Sequence, residues 1–163
     1  MAKKLKTQPP EWITKAPVKV TSAREMLATP EQVFEALCDH ESWPEWFSTI
    51  QKVERLGEQR EGVGSRRRVT INKRFVVDEE FIVWEPGKAW GFTVYEASTG
   101  AFRTLNELVQ IQAISDDRTR VTYTMGFDPN PVVGVLMKMG AKKALTKSLG
   151  QALDNLAARL SAD

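Results

Sequence analysis

The amino-acid sequence predicts an α+β fold in which a curved antiparallel sheet wraps around one long C-terminal helix. From residue 50 onward, short stretches with strand character follow one another and are separated by turn residues, which is typical of an antiparallel meander. A long helical segment is expected from residue 131, and from residue 145 onward its leucines recur at steps of three or four residues and form one apolar stripe. This stripe must be buried, and one face of the sheet is the surface available to bury it.

The N-terminal part of the domain is predicted to contain one strand and two helices. The strand covers residues 18–27. The first helix covers residues 29–38, with Thr29 as N-cap, Pro30 at the first helical position and Gln32 completing a capping box. A second, short helix is expected within residues 40–47.

Six further strands and a long helix make up the rest of the prediction. The strands are expected at residues 50–54, 64–71, 76–85, 89–96, 101–113 and 120–127. Glycine, proline, serine and aspartate cluster between them as turn signals. The helix is expected from residue 131 to about residue 160, and its stripe contains Leu145, Leu149, Leu153, Leu156 and Leu160.

Residues 18–163 are predicted to form one domain, preceded by a basic N-terminal tail over residues 1–17. A chain of 163 residues is long enough for one domain with a substantial core. The tail contains Lys3, Lys4 and Lys6. Two prolines separate these lysines from the first strand, so we expect the tail to be mobile. No apolar stretch follows the lysines, and the tail is therefore not a secretory signal.

The composition favours a cytoplasmic protein with neither a membrane span nor a nucleic-acid partner. Cys38 is the only cysteine and cannot form an internal disulfide, which favours a reducing compartment. The longest apolar stretches are far shorter than the ~20 residues of a membrane-spanning helix. A net charge of +2 is too small to indicate nucleic acid or a membrane surface as a partner.

Three consecutive arginines, Arg66, Arg67 and Arg68, lie within a predicted strand. Because side chains alternate along a strand, Arg66 and Arg68 should face one way and Arg67 the other. We interpret the run as a solvated face, with an anion-binding site as the less favoured alternative. No aromatic residues are interleaved with the arginines, as a surface for single-stranded nucleic acid would require.

The turns allow the strand registers, and hence the inner face of the sheet, to be predicted. The expected pairs are Val83–Trp90, Phe81–Phe92, Trp90–Glu107, Phe92–Leu105, Val94–Arg103, Val109–Met125 and Ile111–Tyr123. The inner face then contains Phe81, Val83, Trp90, Phe92, Val94, Leu105, Val109, Ile111, Val121, Tyr123 and Met125. The opposite face is polar, and a one-residue slip would exchange the two faces.

Three polar groups fall on this inner face, namely Arg103, Glu107 and the hydroxyl group of Tyr123. A buried charge without a partner is very unfavourable. Arg103 and Glu107 lie about 13 Å apart along their strand, too far to pair with each other. A cavity that holds water or a ligand would satisfy both. Two simpler interpretations stay open, because Arg103 is near a strand end and can reach solvent, and Tyr123 can be an ordinary core residue.

The segment after the first helix contains Trp43, Trp46 and Phe47 around Pro44. A helix followed by this Trp-Pro-x-Trp element resembles the START-like (SRPBCC) superfamily, specifically its polyketide cyclase/dehydrase and lipid-transport branch. The resemblance implies the helix-grip fold from about residue 18 onward. It also implies a ligand cavity with the Trp-Pro-x-Trp element at its mouth and Trp90 close to its wall.

The chemistry that the sequence offers is limited. With one histidine, His40, and one cysteine there is no ligand set for zinc, and we expect no metal or other cofactor. His40 is expected at the surface, in the turn between the two helices. Acid–base chemistry stays open, with Glu107 as a base and Arg103 or Tyr123 polarising a carbonyl group.

Three functional hypotheses follow, and the first is favoured. The protein binds a small hydrophobic ligand, such as a lipid, a polyketide-like or an aromatic compound, between the sheet and the C-terminal helix. Alternatively, the same cavity serves a cofactor-free polyketide cyclase/dehydratase, or the chain is a protein-interaction module that binds an acidic partner through its basic tail and arginine run. The residues expected to bind the ligand are Trp46, Phe81, Trp90, Phe92, Arg103, Glu107, Tyr123, Met125 and Met137.

Overall fold

Eight antiparallel strands form one sheet in the computed structural model, which describes residues 1–162. In chain order they are β1 (Lys3–Lys4), β2 (Val18–Met26), β3 (Ile50–Leu56), β4 (Arg66–Ile71), β5 (Phe75–Glu85), β6 (Ala89–Ala97), β7 (Phe102–Ser115) and β8 (Arg118–Pro129). The spatial order is β2-β8-β7-β6-β5-β4-β3, with β1 paired to β6. Together with the long C-terminal helix, this curved sheet confirms the predicted α+β helix-grip fold.

The helices lie where the sequence predicts them, with one interruption. They are α1 (Pro30–Cys38), α2 (Trp43–Trp46), α3 (Pro131–Leu136) and α4 (Lys142–Ala162). Single 3₁₀ segments cover Pro10–Lys15 and His40–Ser42. A π-helical turn, Met137–Ala141, joins α3 to α4, and Gly140 within it has a φ of +123°, which breaks the helix at that point.

The start of α1 has the predicted capping box. The Thr29 hydroxyl oxygen accepts a hydrogen bond from the Gln32 backbone N–H at 3.2 Å, and the Gln32 side-chain oxygen accepts one from the Thr29 N–H at 2.8 Å. Both bonds satisfy donors that a helix start leaves unpaired. The helix then buries Val33, Phe34 and Leu37 against the core.

Two of the three predicted hairpin registers are wrong by two residues. In the β6–β7 hairpin, Trp90 lies opposite Val109 instead of Glu107, and Phe92 lies opposite Glu107 instead of Leu105. In the β7–β8 hairpin, Val109 lies opposite Tyr123 instead of Met125. Because side chains alternate with a period of two, this shift leaves every residue on its predicted face. The apolar residues predicted on the inner face are therefore buried, with the exception of Val83, whereas of the two charged residues predicted there Glu107 is half-buried and Arg103 is exposed.

Two residues predicted on the inner face, Val83 and Arg103, do not point into the core, and each lies at a β-bulge. A bulge between Phe81 and Val83 places Trp84 opposite Trp90, and the Trp84 ring packs edge-on against Phe81 at 5.1 Å between centroids. Val83 is only half-buried. A second bulge, between Phe102 and Thr104, turns Arg103 outward into solvent. The sequence alone gave no sign of either bulge.

The N-terminal segment is held on the sheet by the pairing of β1 with β6 and by three buried side chains, Leu5, Ile13 and Ala16, so the prediction of a mobile tail is wrong. The Leu5 N–H donates to the Tyr95 carbonyl oxygen at 2.9 Å, and the Leu5 side chain is buried. The segment covers the outer face of β7, where the Thr104 hydroxyl donates to the Lys6 carbonyl oxygen at 3.0 Å. Thr104 is thereby buried although it lies on the face predicted to be polar.

Helix α4 closes the concave side of the sheet. Its fully buried leucines are Leu149, Leu153 and Leu156. The helix is joined to β2 by an ion pair of 2.6 Å between Arg24 Nε and Asp154 Oδ1. None of the helices in the described part of the chain has the length and apolar character needed to cross a membrane.

Candidate functional site

A cavity of about 260 Å³ lies between the concave face of the sheet and α4. Most of its wall is aromatic or aliphatic. It is lined by Trp43, Phe47, Thr49, Ile50, Arg67, Val69, Ile71, Asn72, Phe75, Glu79, Phe92, Phe102, Leu105, Glu107, Tyr123, Met125, Phe127, Leu145, Ser148 and Leu149. Asn72 is exposed, and Phe75, Phe102, Leu145 and Ser148 are half-buried, so these residues mark the side on which the cavity meets solvent.

Arg67 of β4 is the most unusual residue of the cavity wall, because its side chain is only 1% exposed. Its Nε donates to Glu79 Oε2 of β5 at 2.5 Å. The Arg67 Cζ atom lies 4.4 Å from the ring centroid of Trp43, 5.0 Å from that of Trp90 and 5.2 Å from that of Phe92. The guanidinium group is therefore stabilised by one carboxylate and several aromatic faces instead of by water.

The arginine run is matched by an acidic run on the neighbouring strand. Arg66, Arg67 and Arg68 of β4 lie opposite Glu80, Glu79 and Asp78 of β5. Alternation divides the three pairs as predicted. Arg66 and Arg68 form partly exposed pairs on the outer face, whereas the Arg67–Glu79 pair points into the core. The interpretation of the run as a solvated face is thus correct for its two outer arginines and wrong for Arg67.

Glu107 of β7 and Tyr123 of β8 form a second polar pair in the cavity wall. The Tyr123 hydroxyl group donates to Glu107 Oε2. Burial, and then the negative charge of Glu79, raise the pKa of Glu107 to about 8, against the opposing effects of the Tyr123 hydrogen bond and Arg67. Burial also raises the pKa of Tyr123 well above its ordinary value. At neutral pH the pair is therefore a protonated carboxyl group beside a neutral phenol.

The four side chains together make the cavity amphipathic. Arg67 and Glu79 supply a buried ion pair, and Glu107 and Tyr123 supply a neutral hydrogen-bonded pair, whereas the remaining wall is mainly apolar. Nη1 of Arg67 is buried without a hydrogen-bond partner among residues 1–162. An unpaired buried donor is unfavourable, so this end of the cavity suits a ligand or water that offers an acceptor oxygen.

Four of the nine sequence-predicted ligand residues line the cavity, namely Phe92, Glu107, Tyr123 and Met125. Four others are buried but lie outside its lining. They are Trp46, Phe81, Trp90 and Met137. Trp43 and Phe47 of the Trp-Pro-x-Trp region line the cavity instead of Trp46, which packs against both of their rings.

Arg103 is the one predicted ligand residue that points away from the cavity. Its side chain is 64% exposed, and its Nη1 lies 3.9 Å from Asp128 Oδ1. The bulge at this position places Phe102 in the cavity lining. Arg103 is therefore not available to polarise a carbonyl group in the cavity, and Arg67 supplies the cationic side chain there.

His40 is buried, so its predicted place at the surface of a turn is wrong. Neither of its ring nitrogens has a hydrogen-bond partner within the described chain. Burial lowers the pKa of His40 to about 3, and the positive charges of Arg67 and Arg55 act in the same direction. The imidazole is consequently neutral across the physiological range and packs as a ring, 5.4 Å from the Phe81 ring centroid.

Cys38 offers no nucleophile, because burial, followed by the charge of Glu61, raises the pKa of its thiol to about 12. Within residues 1–162, no three His, Cys, Asp or Glu side chains come together as metal ligands. The chemistry of the site is therefore carried by Arg67, Glu79, Glu107 and Tyr123. Sequence reasoning missed two of these, although the matched charges of residues 66–68 and 78–80 across a tight turn were a usable signal.

Comparison with known proteins identifies the family. A family model described as polyketide cyclase / dehydrase and lipid transport matches residues 17–161. The chain belongs to this family. Uncharacterized proteins of Mycobacterium tuberculosis and Mycobacterium bovis are 38% identical to it over 110 residues. The match covers 68% of this chain and 65% of theirs, so this polyketide cyclase/dehydrase family member spans slightly less than two thirds of these relatives.

Solved structures share the fold of this family member at low sequence identity. A START superfamily protein from Mycobacterium smegmatis has a TM-score of 0.72 at 19% identity, with 87% of this chain and 98% of that chain covered. The aromatase/cyclase Zhui from Streptomyces sp. R1128 has a TM-score of 0.66 at 14% identity, with 85% and 93% covered. These similarities establish a common START-like architecture.

Proposed function

We propose that this family member binds a small, largely apolar molecule with one polar end in the cavity between the sheet and α4. The observation that carries the proposal is the contrast within the cavity wall. Aromatic and aliphatic side chains form most of the wall, while Arg67, Glu79, Glu107 and Tyr123 are its buried or half-buried ionisable groups. A sequence selected only for a stable core would gain little from such a set, because replacing a buried ion pair by apolar residues is commonly neutral or stabilising.

The size of the cavity narrows the ligand class. A volume of about 260 Å³ is just below the about 300–1,000 Å³ that is typical of ligand pockets. A compact aromatic or polyketide-like molecule fits this volume better than a lipid with two long acyl chains. Its polar end should carry an acceptor oxygen, which Nη1 of Arg67 can bind, next to a group that hydrogen-bonds to protonated Glu107.

The place of action that we propose is the cytoplasm, in accordance with the single unpaired cysteine. The third hypothesis, a module that binds acidic partners through the basic tail and the arginine run, is weakened because the arginines are not free to bind a partner. Each arginine of the run at residues 66–68 already pairs with an acidic side chain of β5.

The test of the binding proposal is to purify the protein gently from its own cells and to identify any passenger by native and then solvent-extraction mass spectrometry. The purified protein is next titrated with a fluorescent apolar dye. Ser148→Trp should block the dye, because Ser148 lies in the half-buried part of the cavity lining. Ala144→Trp adds the same ring at an exposed position outside the lining and should leave dye binding unchanged.

The proposal is contradicted if no passenger is recovered and the dye fails to bind the unmodified protein. Equal dye affinity of the two tryptophan variants would also contradict it, because binding would then occur outside the cavity. Circular dichroism of both variants confirms that each has folded.

A second candidate function, a cofactor-free cyclase or dehydratase, is favoured by the position of Glu107 in the cavity wall, where it is hydrogen-bonded to Tyr123 and burial raises its pKa. With a pKa of about 8, Glu107 can donate a proton at neutral pH to the departing hydroxyl group of a bound β-hydroxy carbonyl compound. The carbon–oxygen bond breaks, water leaves, and the carboxylate takes up the proton released by the adjacent carbon. Tyr123 holds Oε2 in place during this exchange.

Glu107→Gln separates the two candidates. A pure binding protein should keep its dye affinity within a few-fold and has no turnover to lose. A dehydratase should keep its affinity but lose at least ~10²-fold in rate, the scale of a missing general acid–base group. Glu80→Gln is the matched control, because Glu80 lies on the outer side of β5, paired to Arg66 and away from the cavity lining.

A further inference from the structure

An apolar, lysine-flanked surface lies on the segment between β8 and α4. Val132, Val135, Leu136 and Met139 follow one another at steps of three, one and three residues, which places them on one side of a helical segment. Their exposed fractions are 71%, 56%, 51% and 77%. We call this set the apolar stripe of α3. Met137, which lies between them in sequence, points inward and is buried. The segment is therefore packed on the protein through one side and exposes the stripe on the other.

The charge around the stripe has a single sign. Residues 130–153 contain Lys138, Lys142, Lys143 and Lys147 and neither aspartate nor glutamate. All four lysines are exposed, and none of them forms an ion pair with another residue in the range 1–162. Arginines such as Arg24, Arg66 and Arg120 are paired with carboxylates elsewhere on the surface. Other lysines in the described part of the chain are unpaired as well, so the distinguishing feature here is that four of them lie together beside the stripe with no acidic residue between positions 130 and 153.

From this combination we propose that the apolar stripe and its lysines dock the protein on an anionic lipid membrane. A short helix that exposes apolar side chains on one side and lysines beside them is the pattern of segments that lie in a membrane interface. Each lysine close to an anionic bilayer adds attraction, and the apolar side chains enter the boundary between headgroups and acyl chains.

A membrane accounts for these residues better than an acidic protein does. Interfaces between proteins are depleted of lysine in their core, and an apolar stripe there needs a complementary pocket on the partner. A bilayer requires no such shape, and it accepts single side chains that stand out from the surface. An anionic bilayer also attracts the lysines of residues 130–153, a range that contains no acidic residue.

The position of the stripe connects docking to the cavity. The stripe begins just after β8, whose Phe127 lines the cavity, and it is followed by α4, whose Leu145 lines the cavity. The stripe therefore lies between two elements of the cavity wall. The docking proposal itself does not depend on the proposed function, because it requires only the surface and not an occupied cavity.

The experiment is a flotation assay of the full chain with two kinds of vesicle, pure phosphatidylcholine and an equimolar mixture of phosphatidylcholine with phosphatidylserine. The protein should float with the anionic vesicles and not with the neutral ones, and added salt should weaken its binding. Lys142→Gln with Lys143→Gln should lower the partition coefficient about 30-fold, since each lysine near such a surface contributes about fivefold. Leu136→Asn with Met139→Asn should lower it at least tenfold.

The matched control is Lys3→Gln with Lys4→Gln, which removes the same charge from an exposed pair of lysines on another part of the chain. This control should bind as the unmodified protein does. The proposal is overturned if the protein ignores anionic vesicles at low salt, or if the control loses as much binding as the lysine pair of α4. It is also overturned if the asparagine variant abolishes self-association in sedimentation while its vesicle binding is unchanged, because the stripe would then be a contact between copies.

Discussion

Replacing Arg67 by methionine tests the central feature of the site, the buried charge pair. Arg67→Met keeps a long unbranched side chain among Trp43, Trp90 and Phe92 but leaves the Glu79 carboxylate, only 4% exposed, without its partner. Removing one member of a buried pair costs about 3–5 kcal/mol of unfolding free energy. For a domain of this size each kcal/mol lowers the melting temperature by ~2–4 °C, so we expect a decrease of roughly 6–20 °C.

The neighbouring arginine provides the matched control. Arg66 forms a comparable pair with Glu80, but its side chain is 53% exposed. Exposed pairs contribute about 0–1 kcal/mol, so Arg66→Met should lower the melting temperature by only a few degrees. The double variant Arg67→Met with Glu79→Met should recover most of the stability, because it removes the orphaned charge together with its former partner.

Urea denaturation followed by circular dichroism measures the free energies, and thermal melts give the temperatures. The reasoning is refuted if Arg67→Met costs no more than Arg66→Met. It is equally refuted if the double variant is no more stable than Arg67→Met alone, because the loss would then come from packing and not from an unpaired carboxylate.

Three further predictions concern other parts of the structure. Because burial raises the pKa of Glu107 from 4.5 to about 8, the folded state retains a proton that the unfolded state releases, and stability should fall as the pH rises through this window. Glu107→Gln should flatten that fall in thermal melts, and parallel pH profiles would contradict the assignment. Gly126→Ala would place a Cβ atom 2.9 Å from Ile13 Cγ1, so it should lower the unfolding free energy by about 1–3 kcal/mol and make the N-terminal segment more susceptible to protease. Gly100→Ala is the control, because a Cβ atom there has no neighbour within 4 Å and should change neither property. His40→Phe should keep or raise the stability, since it removes two buried nitrogens without partners; a loss above about 1 kcal/mol would show that those nitrogens are satisfied in solution.

The success of the predicted inner face has a simple geometric origin. The registers of β6–β7 and β7–β8 differ from the predicted ones by two residues, yet each side chain stays on its face, because the pleat repeats every two residues. Burial could therefore be predicted more reliably than pairing. The two failures, Val83 and Arg103, both lie at β-bulges, where one extra residue exchanges the faces.

The arginine run at residues 66–68 shows how much of the site could have been predicted if β4 and β5 had been aligned with each other. The turn at residues 72–74 brings three arginines opposite three acidic residues, which is visible in the sequence once the two strands are aligned. The alternation of faces could also be predicted. The sequence could not show that the face carrying Arg67 is the buried one. That depends on the aromatic rings that β6 and α2 bring to the guanidinium group.

The N-terminal segment shows the opposite case, in which local composition was misleading. Its lysines and prolines are typical of a tail, but its binding to the sheet comes from backbone hydrogen bonds to β6 and β7 and from three buried side chains, Leu5, Ile13 and Ala16. Backbone pairing of this kind leaves almost no mark on composition.

From residue 18 onward, the sequence by itself determined the main strands and helices of this protein and, outside the two bulges, the sides that they bury. Those properties depend on short-range patterns, namely the capping box of α1, the period of two in the strands and the leucine stripe of α4. Only the tertiary structure decided which polar groups share the cavity, that Arg67 is enclosed and Arg103 is not, and that β7 is covered by the N-terminal segment. Those outcomes depend on bulges and on contacts between strands distant in sequence, whose energies no local pattern records.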